Sequence, residues 1–126
     1  MPVDEPPRED ISLTVTAAEG GAWAIVSVQG EIDVSTAGSL EEAVRSCLAS
    51  SGRVIIDLAG VRFMDSTGLN VLIRAQSSGA DSGSAQLRLA AVPDRVSKLL
   101  RLTQLDSVFA VYPTVTAAEA APLATD

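Results

Sequence analysis

A serine hydroxyl flanked by an acid and a second hydroxyl, in Asp65-Ser66-Thr67, stands where an apolar run ends and an amphipathic pattern begins. Two chemistries follow from that position. Asp, Ser and Thr side chains all accept hydrogen bonds from the free N–H groups of a helix's first turn, so the triplet can cap a helix. The same N–H groups and the positive end of the helix dipole can accommodate a phosphoryl group, which makes Ser66 a candidate phosphate acceptor and Thr67 a weaker one. Capping does not exclude modification. A phosphate would add about −1.5 to −2 charges beside Asp65, and at a surface shaped for a neutral hydroxyl that charge opposes binding through repulsion and desolvation. One covalent change could release a protein partner with little change of fold.

The chain offers few means of activating that hydroxyl itself. It has no histidine, which removes the commonest general base, Ser–His nucleophilic pairs and His-bearing metal sites. The single cysteine, Cys47, cannot form an internal disulfide and falls on the apolar face of a predicted helix, where it reads as a core thiol. No metal, no cofactor and no enzymatic activity are expected.

The elements that position Ser66 follow from hydrophobic periodicity. Ile11, Leu13 and Val15 alternate with Ser12, Thr14 and Thr16 as a strand; after Gly20-Gly21, residues 23–28 form a second strand ending at Gly30, paired with the first as a hairpin. Ser35 or Thr36 caps a helix to about Ala49 that buries Leu40, Ala43, Val44, Cys47 and Leu48. Val54-Ile55-Ile56-Asp57-Leu58, bounded by Gly52 and Gly60, reads as a central strand. A second helix starts near Asp65 or Ser66, turns Leu69, Leu72, Ile73 and Gln76 to one side, and fails in the Ser/Gly-rich stretch 77–84, expected to be a flexible loop. Leu87, Leu89 and Ala91 alternate with Gln86, Arg88 and Ala90 in a fourth strand, and Pro93 opens a third helix with Val96, Leu99, Leu100 and Thr103 inward. Residues 108–112 make a fifth strand, and Thr116-Ala117-Ala118-Glu119 has capping-box form for a short last helix.

The order ββαβαβαβ(α) defines a single α/β domain with an open, mixed but mainly parallel sheet and helices packed against it. Helices begin at the carboxyl ends of strands, so the loops of residues 30–36 and 62–68 should share one end of the molecule. The strand order itself is not legible. At 126 residues the chain holds one core, and with 47% apolar but only 3% aromatic residues that core is aliphatic. Residues 1–10, with three prolines and four acids, read as a solvated tail; 11–120 form the domain and 121–126 a flexible end.

A net charge of −7 argues against nucleic acid and anionic membrane as direct partners. No apolar run reaches the ~20 residues of a membrane span and no export signal opens the chain, so a cytoplasmic protein, monomeric or weakly dimeric, is expected. Arg62 reads as a solvated surface residue, and Trp23 and Phe63 as core or rim aromatics.

Three segments taken together carry a resemblance: Gly30-Glu31-Ile32-Asp33 at the end of the second strand, the Val-Ile-Ile-Asp-Leu strand, and Phe63-Met64-Asp65-Ser66-Thr67-Gly68-Leu69. Their order and placement are similar to those of the STAS-domain anti-sigma factor antagonists of bacteria, over roughly residues 11–120. The resemblance implies a protein that binds an anti-sigma factor serine kinase, frees a sigma factor, and is inactivated when that kinase phosphorylates it; a phosphatase would reverse the change. It implies Ser66 as phosphoacceptor, with Glu31, Asp33, Asp65, Thr67, Gly68 and Leu69 in segments that face the partner. The Ser/Gly-rich stretch and the proline-rich amino terminus have no counterpart in that pattern.

Three other readings compete. A phosphoaspartate receiver domain needs an acid cluster for Mg and a lysine beside the acceptor, but the only lysine, Lys98, falls in the third helix. A nucleotide-binding enzyme needs a Gly-rich loop leading into a helix, and Gly20-Gly21 joins two strands. A non-phosphorylated STAS scaffold subunit of a signalling or transport complex would use the same fold with Ser66 as a cap alone.

Overall fold

A computed structural model of the chain describes residues 13–18, 21–82 and 86–122, with side chains at 79–82 excepted. The predicted tail at 1–10, Ile11 and Ser12, and residues 123–126 of the predicted end at 121–126 lie outside the described residues. Nine elements follow one another: β1 (Leu13–Ala18), β2 (Ala24–Ile32), α1 (Ala37–Ser50), β3 (Arg53–Met64), α2 (Ser66–Ser82), β4 (Gln86–Ala90), α3 (Asp94–Leu102), β5 (Ala110–Tyr112) and α4 (Val115–Ala120). The expected element order holds throughout.

The strands lie side by side in the order of the sequence, β1-β2-β3-β4-β5. β1 and β2 pair antiparallel as the predicted hairpin, with Leu13 opposite Gly30, and all other pairs are parallel. Each parallel crossover steps one strand in the same direction, and right-handed crossovers then place α1, α2 and α3 on one face. Their apolar residues Leu40, Val44, Cys47, Leu69, Val71, Leu72, Ala75, Val96 and Leu100 form one core with Val26, Val28, Val54, Ile56, Leu58 and Leu89. Cys47 is buried in that layer. Only α4, which is not a crossover, covers the opposite face, where Trp23, Ile55, Ala90 and Ala118 form a second cluster.

Several local expectations are corrected. β3 does not stop at Gly60 but runs to Met64, because two bulges let it carry extra residues against β2, one between the pairs Ser27–Asp57 and Gln29–Gly60 and one between Gly30–Val61 and Glu31–Phe63. A Cβ on Gly60 would stand 2.6 Å from Gln29 Cγ and 3.0 Å from the Val28 carbonyl oxygen, so this glycine serves close strand approach instead of termination. α2 continues through Ser77 to Ser82, where a loop was expected. Ser and Gly lower helix propensity by at most about 1 kcal/mol each, and without a proline they weaken a helix without breaking it. Thr103 is exposed and not inward; its hydroxyl donates to the Leu99 carbonyl at 2.7 Å as α3 ends. Gln76 is only half-buried, and Ala75 and Val71 fill the face it was expected to share. The last helix is capped by Thr114, whose hydroxyl accepts from Ala117 N at 3.0 Å, two residues before the capping box that Thr116 suggested.

The largest departure is in β4, where the alternation of Arg88 and Ala90 suggested a solvated face but both are buried. Arg88 lies 4.3 Å from the centre of the Trp23 ring and 5.3 Å from that of Tyr112, and donates to the Ala118 carbonyl at 2.6 Å and the Ala121 carbonyl at 3.0 Å, and also to Pro122. A cation at the carboxyl end of α4 also meets the negative end of its dipole. Arg88 thus fastens α4 to the sheet. Arg88→Ala should cost about 3 kcal/mol in urea denaturation, since it leaves these carbonyls unpaired and removes two ring contacts; a loss below about 1 kcal/mol would mean that α4 is held by packing alone.

Candidate functional site

The two loops expected to meet do so. In the parallel β2–β3 pair, Glu31 registers with Phe63 and Ile32 with Met64, and the Asp65 N–H donates to the Ile32 carbonyl at 3.2 Å. The chain then turns into α2 with Asp65 as its cap: one carboxylate oxygen accepts from Thr67 N at 2.9 Å and stands 3.4 Å from Gly68 N, while the Asp65 carbonyl accepts from Leu69 N at 3.1 Å. Ser66 is the first helical residue and is exposed. The capping work falls to Asp65, so the Ser66 hydroxyl stands at the helix amino terminus, free for other chemistry.

This turn is held against the sheet by the lack of a side chain at Gly68. A Cβ there would meet Ile32 Cγ2 at 2.6 Å and Met64 Cγ at 2.8 Å, distances that real Cβ atoms do not show. Gly68 and Leu69 are both buried, so of the seven residues expected at a partner surface these two position the site from beneath. Asp65, Thr67, Glu31 and Asp33 are partly exposed, and Ser66 is exposed.

Across from Ser66, the turn between β2 and α1 is built from its own polar groups. One Asp33 carboxylate oxygen accepts from the Ser35 hydroxyl at 2.7 Å and from Ser35 N at 2.9 Å. The Thr36 hydroxyl donates to the Glu31 carbonyl at 2.8 Å and accepts from Asp33 N at 2.9 Å, while the Asp33 carbonyl accepts from Ala37 N at 2.8 Å. Thr36 is the N-cap residue of α1, but its side chain ties the turn backward to β2 instead of capping the helix. The Ser35 hydroxyl, then the Ser35 N–H and more weakly Thr36 hold the Asp33 carboxyl below its usual range, against a smaller effect of desolvation. The Asx-turn spacing of Asp33-Val34-Ser35 was a readable signal for this loop. At its tip Val34 is 82% exposed.

Phe63 is a rim aromatic, 44% exposed, and Trp23 a core one. Arg62 is exposed as expected, though its guanidinium approaches the Glu31 carboxylate at 3.9 Å. Among the described residues no three His, Cys, Asp or Glu side chains gather as a metal site, and no helix is long and apolar enough to cross a membrane.

An open, mainly parallel sheet with three helices on one face and an exposed serine beside the cap of a strand-to-helix junction defines a small α/β domain. The model of the STAS domain matches residues 14–118, and the chain belongs to that family. It is 34% identical over 105 residues to the anti-sigma-F factor antagonist RsfB of Mycobacterium tuberculosis, across 82% of this chain and 84% of RsfB. It is 37% identical over 87 residues to the anti-sigma-B factor antagonist of Listeria monocytogenes, across 68% and 75% of the two chains. The crystal structure of an anti-sigma factor antagonist from Mycobacterium paratuberculosis, 31% identical, superposes with a TM-score of 0.74 over 86% of this chain and 92% of that one. These relatives carry the names of regulators, not of enzymes.

Two measurements test this geometry. Gly68→Ala should destabilise the fold by about 1–3 kcal/mol in urea denaturation, because the methyl group must displace Ile32 or Met64 in a packed core; an unchanged midpoint would show that the first turn of α2 can move freely. In a pH titration followed by NMR, the Asp33 carboxyl should titrate below its ordinary value of 3.8, and Ser35→Ala should move it upward. The folded value lies below the unfolded one, so the turn's contribution is full above the ordinary value and is lost as pH falls through the lowered one. A midpoint at or above the ordinary value would refute the hydrogen-bonded turn.

Proposed function

We propose that this protein is an anti-sigma factor antagonist of the cytosol that binds an anti-sigma factor serine kinase, frees a sigma factor, and is switched off by phosphorylation of Ser66. The observation that carries the proposal is the division of labour between Asp65 and Ser66: the acid caps α2, and the neighbouring hydroxyl is exposed at the helix's first position. Modification of that hydroxyl removes no cap. The antagonist names of the mycobacterial and Listeria relatives support the reading.

In the transfer, the Ser66 oxygen attacks the γ-phosphorus of the kinase's ATP, its proton passes to a base of the kinase, and ADP leaves. This chain supplies the nucleophile and its position. The phosphate gains from the positive end of the α2 dipole, so the isolated domain keeps its fold. The cost falls on the complex, where about two negative charges enter a contact made for a neutral hydroxyl. A phosphatase resets the switch.

The test pairs two substitutions with the kinase, ATP and Mg. Ser66→Ala, at an exposed position that is not the cap, should change stability by less than about 0.5 kcal/mol, bind the kinase and take up no phosphate. Ser66→Asp should fold as well or slightly better, by up to about 1 kcal/mol, and bind far more weakly. Calorimetry reads the affinities and mass spectrometry the site of phosphate; equal affinity of Ser66→Asp and the unmodified chain would end the charge-switch reading, and phosphate on Thr67 alone would move it.

A further inference from the structure

The acids at the switch end are engaged within the chain itself. The Asp33 carboxylate is turned into its own loop by the Ser35 hydroxyl and N–H. Glu31 faces the Arg62 guanidinium at 3.9 Å, and Asp65 caps α2. Asp33 and Asp65 each have one carboxylate oxygen held within the chain. This end also exposes two large apolar side chains: Val34, 82% exposed at the tip of the β2–α1 turn, and Phe63, 44% exposed in the register position opposite Glu31. The Asp65 N–H bond to the Ile32 carbonyl ties together the two segments that carry them, and Ser66 follows Phe63 by three residues.

We propose that Val34 and Phe63 are the apolar anchors through which the partner grips the switch end, and that Asp33 is a positioning residue that holds Val34 out. The partner then presents an apolar cleft to these two side chains, beside the nucleotide site that must reach Ser66. The inference rests on the reading of the chain as an anti-sigma kinase's partner and adds to it the chemistry of the contact. It also explains the sign of the switch. Beside an apolar contact, a phosphate on Ser66 must be desolvated when the partner covers it, which opposes binding. The rigid turn matters equally, because a valine held in one place by five polar contacts loses little freedom when it is bound.

The experiment uses the full chain and the kinase that phosphorylates Ser66, with affinity read by calorimetry and folding by thermal melting. Val34→Ser and Phe63→Ser should each weaken binding by about tenfold or more, as truncated interface anchors do; Val34→Ser should leave the melting temperature in place, since that side chain is almost wholly exposed. Asp33→Ala should weaken binding too, and Asp33→Asn, which keeps the acceptor oxygen but not the charge, should recover most of that loss. The double variant Asp33→Ala/Val34→Ser should bind no worse than Val34→Ser alone, because both act through one side chain. Unchanged affinity in Val34→Ser and Phe63→Ser overturns the anchors while leaving the kinase reading intact. An Asp33→Asn loss equal to that of Asp33→Ala makes the charge itself the contact and overturns the positioning role. If no kinase binds or modifies the unmodified chain, the reading beneath falls and the anchors fall with it.

Discussion

The site depends on how closely the first turn of α2 approaches the ends of β2 and β3, and that distance is set by a missing side chain at Gly68. A helix that follows a parallel strand must turn sharply back onto the sheet, and its first turn arrives just where the neighbouring strand ends. Here Ile32 and Met64 already occupy the space a Cβ would need. With glycine in place, Asp65 can at once donate its N–H to Ile32, accept from Thr67 and start the helix. A small displacement of this turn would break the strand tie and the cap together, which makes the position of Ser66 a property of packing beneath the surface. Gly68 and Leu69 therefore set the position of Ser66 from beneath, without being exposed themselves.

The sheet's order extends the same constraint. Sequential parallel strands with crossovers of one hand gather α1, α2 and α3 on one face and all their amino termini at one end. The antiparallel hairpin adds β1 at the edge, with Leu13 arriving at that same end beside Gly30. The opposite face is left with α4, a helix of six residues too short to be stable on its own. Its cap at Thr114 and the guanidinium of Arg88 beneath its carboxyl end supply what its length cannot. Stability on that face is thus concentrated in a few polar contacts and two rings, and it lies apart from the chemistry of the switch.

The elements were legible because burial in this fold is periodic: the alternation in β1, the continuous run in β3 and the stripes of α1 and α3 each match one kind of neighbour. Asp65 and Ser66 were legible for a related reason, since polar residues that interrupt an apolar strand and helix need a purpose. What escaped the sequence depended on neighbours distant in the chain. Gly60 looked like a strand end because a bulge glycine and a terminating glycine carry the same local signal. Arg88 looked solvated because its acceptors, the carbonyls of Ala118, Ala121 and Pro122, follow some thirty residues later. The place of Asp33 came from the resemblance, and the serine two residues on was a local signal that one of its oxygens would also hold the turn. Val34 drew no attention, since one valine among polar loop residues shows its exposure only once the turn is closed.

The same end of the molecule must satisfy two demands that oppose each other in a helix terminus. A negative charge at the start of α2 is favourable to the domain, through the dipole and the free N–H groups, and Asp65 already draws on that effect. A second negative charge one residue later stays favourable for the isolated chain and becomes unfavourable only where a partner would cover it. Stability and recognition can therefore change in opposite directions at a single atom. The arrangement requires that the cap and the acceptor be different residues: if Ser66 were the cap, its modification would alter the helix start and mix a change of fold with a change of surface. Placing the cap on Asp65 and the exposed hydroxyl on Ser66 keeps the two effects apart, so that under the proposed switch only the surface would change.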